Sequence, residues 1–187
     1  MSELETILES IRQGEDVSRI RQNWNPDRVG EIDIRIASDG QWYHQGRPFQ
    51  RAALVKLFAG VLRRETSGYY LVTPAEKLSI QVDDAPFVAN LVETVKTPGP
   101  DAIVFTTNID ERIILDPDHP LRIETDSISG EPRPYVYWRD GLEALISRSA
   151  FYDLINMARE VKRDNRVDFV VSSLGTDFEL GSSPENE

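Results

Sequence analysis

The residue types best suited to chemistry lie together in one predicted turn, Thr73-Pro74-Ala75-Glu76-Lys77. The turn offers a hydroxyl, a carboxylate and an amine, and such groups bind polar ligands or exchange protons. The alternative is structural, with Thr73 or Glu76 capping free backbone amides while Lys77 is solvated. The sequence favours the structural interpretation and keeps a polar-ligand site as the second one.

Two arginines stand at the starts of predicted helices, Arg51 and Arg148. A cation in the first turn opposes the helix dipole, so another interaction must offset its cost. Free amides at a helix start together with a guanidinium form a site for a phosphate or a carboxylate. Alternatively, each arginine lies along the sheet and bonds a loop carbonyl or an aspartate. The sequence leaves both interpretations open.

Other polar and aromatic residues give weaker signals. Asp33 and Arg35 share one face of a predicted strand, which is either an exposed ion-pair face or the wall of a cleft. Trp42 has a ring that can stack on a planar base, but aromatic residues in short strands more often belong to the core. His119, in Asp116-Pro117-Asp118-His119-Pro120, has too few nitrogen ligands beside it for a strong metal site. No metal site is predicted.

Motifs of known reactions are absent from the sequence. It has no Gly-x-Ser-x-Gly elbow, no phosphate loop, no Gly-x-Gly-x-x-Gly fingerprint, no His-Glu-x-x-His and no cysteine. We therefore predict neither catalysis nor a cofactor. An undescribed hydrolase or isomerase that uses Glu76, Lys77 and His44 is the least favoured alternative.

The composition argues against two classes of partner, nucleic acids and membranes. The 187 residues carry a formal net charge of −11, and 40% of them are apolar, which fits a globular protein with a core. An acidic surface repels phosphate backbones and anionic lipids, so neither nucleic acid nor a membrane is an expected partner. The acidic amino terminus lacks a secretory pattern, and no apolar run is long enough to span a bilayer. These features predict a cytoplasmic protein.

A pattern that occurs twice predicts an internal duplication. In each copy an Asp-Gly turn is followed by a short apolar stretch, an arginine, an amphipathic helix and a hairpin. The copies begin at Asp39-Gly40 and Asp140-Gly141 and include Arg51 and Arg148. The predicted fold class is α+β, with antiparallel sheets and one main amphipathic helix in each half. Such a duplication creates a seam between similar halves, where ligands often bind.

Hydrophobic periodicity predicts the individual elements. Apolar residues at helical spacing predict helices at 2–13, 51–64 and 149–163, and alternation predicts a strand at 32–36. Further strands are predicted at 69–73, 78–82, 87–95, 102–107, 111–115, 121–125, 135–138, 142–146, 167–173 and 176–180. The predicted divisions are an amino-terminal helical segment (1–21), a first α+β domain (22–85), a second α+β domain (86–181) and a disordered tail (182–187).

An ordered series of motifs connects the chain with a known family. The motifs are Trp24-x-Pro26, Gly30-x-x-Asp33, Asp39-Gly40-x-Trp42, Gly46-x-Pro48-x-x-Arg51, Leu62-Arg63-Arg64-Glu65, Tyr70-Leu71-Val72-Thr73-Pro74-x-Glu76-Lys77, Val82-x-Asp84-Ala85-Pro86-Phe87, Thr107-Asn108, and Pro134-Tyr135 followed by Arg139. Over residues 22–181 the chain resembles the bacterial domain-of-unknown-function family 1285. The resemblance implies a duplicated α+β fold whose carboxy-terminal half is superficially similar to pleckstrin-homology domains. It also implies a nucleotide-based ligand at the interface of the halves and a role in signal transduction.

Together these observations predict a cytoplasmic sensory or regulatory module that binds a small anionic ligand, nucleotide-based according to the resemblance. A signalling protein is then an expected partner, and the alternative is a protein-interaction scaffold without a small-molecule ligand. The ligand-binding candidates come from the helix starts, the 73–77 turn and the motifs of the resemblance. They are Asp33, Trp42, Arg51, Arg64, Thr73, Glu76, Lys77, Asn108 and Arg148.

Overall fold

The computed structural model describes residues 24–163 and 166–184. The predicted amino-terminal helix at 2–13 lies outside the described residues. Contacts along the chain define two compact units. The first runs to Pro86 and includes Asp140–Leu142, and the second comprises Phe87–Arg139 and the chain from Glu143 onward. No helix in the described part of the chain is long and apolar enough to cross a membrane.

The first unit contains a six-stranded sheet. Its elements are β1 (Val29–Ile36), β2 (Trp42–His44), β3 (Arg47–Pro48), α1 (Ala52–Val61), β4 (Leu62–Glu65), β5 (Gly68–Val72) and β6 (Lys77–Val82). The order across the sheet is β3-β2-β1-β6-β5-β4. The first and last strands, β1 and β6, pair in parallel at the centre, whereas the other pairs are antiparallel.

Alternation of side chains places one face of β1 in the core. The three isoleucines of β1 are buried, while Asp33 and Arg35 between them are exposed, as the sequence predicts. The predicted Asp39-Gly40 turn then folds the chain back, so that Trp42 lies opposite Ile36. Gly40 makes this turn possible because its φ of 80° is one that residues with a side chain rarely adopt.

Helix α1 covers the apolar face of this sheet with aromatic contacts. The ring of Phe58 in α1 stacks on Trp42 with 6.5 Å between the ring centroids. Phe49 packs edge-on against Phe58 at 5.8 Å. Trp42 and Phe58 are wholly buried, and buried aromatic rings contribute large apolar areas. These rings therefore fix α1 against the sheet.

The second unit contains another six-stranded sheet with the same arrangement. Its strands are β7 (Phe87–Val95), β8 (Ala102–Thr107), β9 (Arg112–Ile114), β10 (Leu121–Thr125), β11 (Pro132–Arg139) and β12 (Leu142–Ile146). The order is β10-β11-β12-β7-β8-β9, and the first and last strands, β7 and β12, again pair in parallel at the centre. Two similar β-rich halves are consistent with the predicted duplication.

The rest of the second unit is one helix and a small sheet. Helix α2 (Arg148–Asn156) follows β12, and β13 (Arg159–Arg163), β14 (Arg166–Ser173) and β15 (Thr176–Pro184) form an antiparallel sheet of three strands. The turn between β14 and β15 is Leu174-Gly175, with φ values of 50° and 78°. Such a turn matches the twist of the two strands that it joins.

The predicted α+β class is corrected to a mostly β fold, because the helices predicted at 51–64 and 149–163 are both shorter than expected. Helix α1 ends at Val61, since Leu62 is extended (φ −72°, ψ 136°) and pairs with Leu71 as the first residue of β4. Helix α2 ends at Asn156, and the residues after it form β13. The charged segment Arg159–Arg163 has no apolar helical face to bury, and its backbone pairs with β14 instead.

The predicted alignment of the two copies is also corrected. Asp39-Gly40 joins the first and second strands of its sheet, whereas Asp140-Gly141 joins the fifth and sixth strands of the other. Helix α1 lies between the third and fourth strands, and α2 follows the sixth. The two Asp-Gly pairs are therefore not equivalent positions. Residues 182–184, predicted to be disordered, belong to β15, and a pleckstrin-homology-like second half stays a prediction.

Candidate ligand-binding site

One face of the first sheet carries a continuous row of polar side chains. Arg63 of β4 lies opposite Tyr70 of β5, Tyr70 lies opposite Ser79 of β6, and Ser79 lies opposite Glu31 of β1. Directly paired residues place their side chains on the same face of a sheet. The row therefore crosses four strands, on the face opposite the buried isoleucines of β1.

Glu65 and Lys77 lie on the same face, because each is two residues from a member of this row. Arg63 Nη2 donates a hydrogen bond to Glu65 Oε1, and Lys77 Nζ donates to Glu65 Oε2 at 2.9 Å. Lys77 Nζ also lies 4.9 Å from the centroid of the Tyr70 ring, within cation–π range. We call these four residues, Arg63, Glu65, Tyr70 and Lys77, the Glu65 cluster.

The Glu65 cluster holds an excess of positive charge. The hydrogen bond from Lys77 is the main cause that holds the pKa of Glu65 below its ordinary value, with burial opposing it and the bond from Arg63 adding to it. Glu65 is therefore ionised at neutral pH, so two cations face one carboxylate. The three charged side chains are between 18% and 27% exposed. This local excess occurs in a chain with a formal net charge of −11.

Donors of the Glu65 cluster lack acceptors among the described residues. Arg63 Nη1 donates to the Trp24 carbonyl oxygen at 3.1 Å, but the buried Arg63 Nε has no hydrogen-bond partner in the described part of the chain. Lys77 Nζ has three protons, and residues 24–163 and 166–184 provide Glu65 as its hydrogen-bond acceptor. A buried donor without an acceptor is costly. The cluster is therefore suited to a ligand that brings strong acceptors.

The 73–77 turn positions Lys77 for this cluster. Thr73 Oγ1 accepts hydrogen bonds from the N–H groups of Ala75 at 3.3 Å and Glu76 at 3.1 Å. Glu76 is buried, and its Oε2 lies 3.3 Å from Arg28 Nε. Thr73 therefore caps backbone amides, as the structural interpretation predicts, whereas Glu76 pairs with Arg28 and Lys77 is not solvated as that interpretation expected. A ligand-binding role of Thr73 and Glu76 stays a prediction. Lys77 is the residue of this turn whose side chain belongs to the Glu65 cluster.

A groove lies on the first sheet where β1 and β6 separate. The pairing passes from Glu31 with Ser79 to Arg35 with Gln81, so three residues of β1 face one residue of β6. The groove there has a volume of about 370 Å³ and is lined in part by Glu31 and Asp33. Its acidic lining suits N–H donors, and Asp33, which lines the groove, is not one of the residues of the Glu65 cluster. Within the described ranges no three His, Asp or Glu side chains converge as metal ligands.

The other sequence-predicted residues are dispersed. Trp42 is wholly buried, so its ring has no face open to a ligand. Arg51 is exposed at the start of α1 and makes no side-chain cap bond. Arg64 alternates with Arg63 and so lies on the opposite face of β4. Asn108 Oδ1 accepts a hydrogen bond from a backbone N–H of β7 at 3.1 Å. Trp42, Arg51 and Arg64 are thus not residues of the Glu65 cluster, and Asn108 belongs to the second unit.

Arg148 has bonding partners, but they are a tyrosine hydroxyl and a glutamate, not the loop carbonyl or aspartate of the predicted alternative. Ser147 is the N-cap of α2, and its Oγ accepts from the Ala150 N–H at 3.3 Å. Arg148 Nη2 lies 3.5 Å from the Tyr152 hydroxyl and 3.5 Å from a carboxylate oxygen of Glu131. The Tyr152 hydrogen bond, followed by the charge of Glu131, raises the pKa of Arg148. These oxygens offset the cost of a cation in the first turn, and ligand binding by Arg148 stays a prediction.

The sequence does not predict Arg63 or Glu65 as a site residue. Helical spacing places Arg63 in a helix at 51–64, and Glu65 comes just after that helix. In a strand, residues two apart share a face, and that geometry brings them to Lys77. A usable signal exists in the sequence. The pattern Leu-Arg-x-Glu occurs at 62–65 and again at 121–124, and in both places it begins the fourth strand of a sheet.

Comparison with known proteins gives two family-model matches and two similar crystal structures. Residues 21–85 match the model for the N-terminal domain of DUF1285, a domain of unknown function, and residues 86–180 match the model for its C-terminal domain. A DUF1285 family protein from Silicibacter pomeroyi DSS-3 is 41% identical, with 93% of each chain covered and a TM-score of 0.79. One from Shewanella baltica OS155 is 25% identical, with 66% of this chain and 90% of that chain covered and a TM-score of 0.53. No curated protein matches the chain.

Proposed function

The chain belongs to the DUF1285 family, and we propose that it is a regulatory module that binds a small anionic ligand at the Glu65 cluster. In this proposal the ligand is nucleotide-based and the module acts in signal transduction, which is what the family resemblance implies. The contacts of the described residues support the anionic character of the ligand. The role is one of binding, without catalysis.

One observation carries the proposal. Arg63 and Lys77 share a single carboxylate, and donors of both lack acceptors among the described residues. A phosphate or carboxylate group supplies several strong acceptors together with the negative charge that balances the cluster. The half-buried position favours this pairing, because charges away from bulk water are screened less by solvent and salt.

The backbone around Lys77 makes the site partly preorganised. The Lys77 N–H donates to the Arg28 carbonyl oxygen at 2.9 Å, and the Thr73 N–H donates to the Glu76 carbonyl oxygen at 2.9 Å. The Lys77 side chain is in turn held by Glu65 and by the Tyr70 ring. A side chain that is already ordered loses less conformational entropy when a ligand binds. Lys77 is therefore the best single residue on which to test the proposal.

Thermal unfolding with a panel of anions tests the proposed function. The panel contains nucleotides, dinucleotides, pyrophosphate and inorganic phosphate. A ligand that binds only the folded protein, present at 100 times its Kd, adds about 2.7 kcal/mol of stability. For a chain of this size that gain raises Tm by roughly 5–10 °C. No shift with any member of the panel would contradict the proposal.

A pair of lysine variants shows whether the shift arises at the Glu65 cluster. Lys77→Met removes the ammonium beside Glu65, and we expect it to abolish the ligand-induced rise in Tm. Lys96→Met is the matched control, because Lys96 of the second unit is 85% exposed and pairs with Asp101 at 2.6 Å. It makes the same change in net charge and should keep the full shift. Equal shifts in both variants would place the anion elsewhere.

One observation favours the alternative of a protein-interaction scaffold. Helix α2 and its C-cap residue leave Tyr152, Ile155 and Met157 exposed, at 54%, 38% and 38%. Exposed apolar side chains on one short segment are typical of protein contacts. This alternative predicts that no anion changes Tm, which is the opposite of the result expected for the Glu65 cluster.

A further inference from the structure

We infer that the charge at the start of the sixth strand decides which of two equivalent clusters binds an anion. Lys77 allows the Glu65 cluster of the first sheet to bind an anion. Glu143 prevents the equivalent cluster of the second sheet from doing so. The inference rests on the proposed function and names the residue that determines its specificity.

The counterpart is defined by matching strand positions. In the first sheet, the fourth strand begins with Leu62-Arg63-Arg64-Glu65, and Arg63 lies opposite Tyr70 of the fifth strand. In the second sheet, the fourth strand begins with Leu121-Arg122-Ile123-Glu124, and Arg122 lies opposite Tyr135 of the fifth strand. The same residue types therefore occur at the same register in both sheets.

The sixth strands supply opposite charges to these positions. Lys77 of β6 reaches the carboxylate of Glu65. Glu143 of β12 reaches the guanidinium of Arg122, which also bonds Glu124. We call Arg122, Glu124, Tyr135 and Glu143 the Arg122 cluster. The Glu65 cluster thus has two cations around one carboxylate, and the Arg122 cluster has two carboxylates around one cation.

Hydrogen bonding shows why the Arg122 cluster is closed to an anion. Arg122 Nε and Nη2 donate to the two carboxylate oxygens of Glu143, each at 2.8 Å, and Nη1 donates to Glu124. The guanidinium carbon also lies 4.2 Å from the centroid of the Tyr135 ring. In the Glu65 cluster the corresponding Arg63 Nε has no hydrogen-bond partner among residues 24–163 and 166–184. Lysine cannot accept hydrogen bonds, so the Lys77 side chain leaves that donor unpaired.

The net charges of the two clusters lead to the same conclusion as their hydrogen bonds. An incoming phosphate meets a net positive cluster in the first sheet and a net negative cluster in the second. Like charges at close range are repelled, and the bidentate Arg122–Glu143 pair would have to break before an anion gained its donors. The opposite charges of Lys77 and Glu143, each near the start of a sixth strand, therefore account for the difference between the two clusters.

Calorimetric titration with pyrophosphate as the probe tests the inference by counting sites. The unmodified protein should bind one equivalent. Lys77→Glu should weaken that binding at least tenfold. Glu143→Lys should bind a second equivalent, because Arg122 and the new ammonium would then share Glu124. The doubly exchanged variant, Lys77→Glu with Glu143→Lys, should return to one equivalent.

Two further variants control for charge and folding. Asp153→Lys makes the same change in net charge in the second unit, where Asp153 is an exposed residue of α2, and it should still bind one equivalent. Glu143→Gln releases donors of Arg122 without adding a cation and should give a second, weaker site. Circular dichroism checks that each variant is folded.

The outcomes separate the inference from the proposed function. If the unmodified protein binds no pyrophosphate and no member of the anion panel, the proposed function fails and the inference fails with it. If the unmodified protein binds one equivalent, and folded Glu143→Lys and Glu143→Gln also bind only one, the inference alone is overturned. Undiminished binding by Lys77→Glu would also overturn it.

Discussion

The two six-stranded sheets have the same strand order but differ in their central parallel pair. In the first sheet the pairing of β1 with β6 is interrupted, and a groove of about 370 Å³ lies at the interruption. In the second sheet β7 and β12 pair continuously at 87–89 and 144–146, and the irregularity lies between β7 and β8 instead. Extra residues in a strand re-aim side chains without altering which strands are neighbours. One topology thus supports two different surfaces.

The chain between the third and fourth strands differs as well. In the first sheet it contains α1, whose Phe58 packs on Trp42. In the second sheet it is a short turn in which Asp116 and His119 form an isolated bridge, with His119 Nδ1 at 2.8 Å from Asp116 Oδ1. Helix α2 comes later and contacts β7 and β14. The strand order belongs to the repeated unit, and the helices do not.

The largest expected effect compares the leucines that begin the two Leu-Arg-x-Glu strands. Leu62 is 1% exposed, whereas Leu121 is only half-buried. We expect Leu62→Ala to lower the free energy of unfolding by about 3 kcal/mol, because it leaves a cavity in the core, and Leu121→Ala by about 1 kcal/mol. Denaturant unfolding followed by circular dichroism measures both. Equal losses would contradict the different packing of the two fourth strands.

A smaller effect is expected at two tight turns. Gly46 and Gly141 have similar positive φ values, 72° and 76°. A Cβ on Gly141 would lie 3.3 Å from Arg64 Cβ, whereas nothing lies within 4 Å of a Cβ on Gly46. Gly46→Ala should cost about 1 kcal/mol for the left-handed backbone, and Gly141→Ala about 2 kcal/mol because Arg64 must also move. Calorimetric unfolding compares them, and a greater loss in Gly46→Ala would refute the steric argument.

The smallest effects concern carboxylates at the turns between the fourth and fifth strands. In the second sheet, Asp126 accepts hydrogen bonds from the N–H groups of Ser129 and Ile128, which lower its pKa from 3.8 to about 2. A carboxylate with a lowered folded pKa stabilises the fold above its unfolded pKa, and that stability is lost as pH falls through the folded value. Asp126→Asn should therefore reduce stability at neutral pH, with a difference that disappears as pH falls through about 2. Urea midpoints across this pH range provide the measurement.

Glu65 ends the fourth strand of the first sheet, and a different interaction lowers its pKa. The main cause is the hydrogen bond from Lys77, so the stability from Glu65 is also present above its unfolded pKa and lost as pH falls through its folded pKa. Lys77→Met should remove most of this acid dependence and leave that of Asp126 intact. The same urea series with this variant is the test. An acid dependence identical to that of the unmodified protein would mean that Lys77 does not hold Glu65.

Much of the fold follows from local signals in the sequence. The alternating isoleucines of β1 and the Asp39-Gly40 turn correctly predict the first hairpin, because both signals act within a few residues. Helical spacing of apolar residues also predicts that 62–64 and 159–163 belong to the helices before them. Their backbones pair instead with β5 and β14. Such pairings depend on partners that local periodicity does not reveal.

The candidate site was predictable only in part for the same reason. Lys77 was predicted from the chemistry of its own turn, and it belongs to the Glu65 cluster. Arg63 and Glu65 reach it only because β4, β5 and β6 are neighbours in the sheet. Because the predicted duplication aligns the two Asp-Gly turns with each other, it does not align the two strands that begin with Leu-Arg-x-Glu. Strand order, once known, makes the second alignment visible.

The most direct test of the account is a titration of the isotope-labelled protein with pyrophosphate, followed by the backbone amide NMR signals. Saturable shifts should concentrate at Arg63, Glu65, Tyr70 and Lys77, with little change at Arg122, Glu124, Tyr135 and Glu143. This result would show that the sheet with two cations around one carboxylate binds the anion. Shifts concentrated on the second set, or saturation without change in the first, would contradict it.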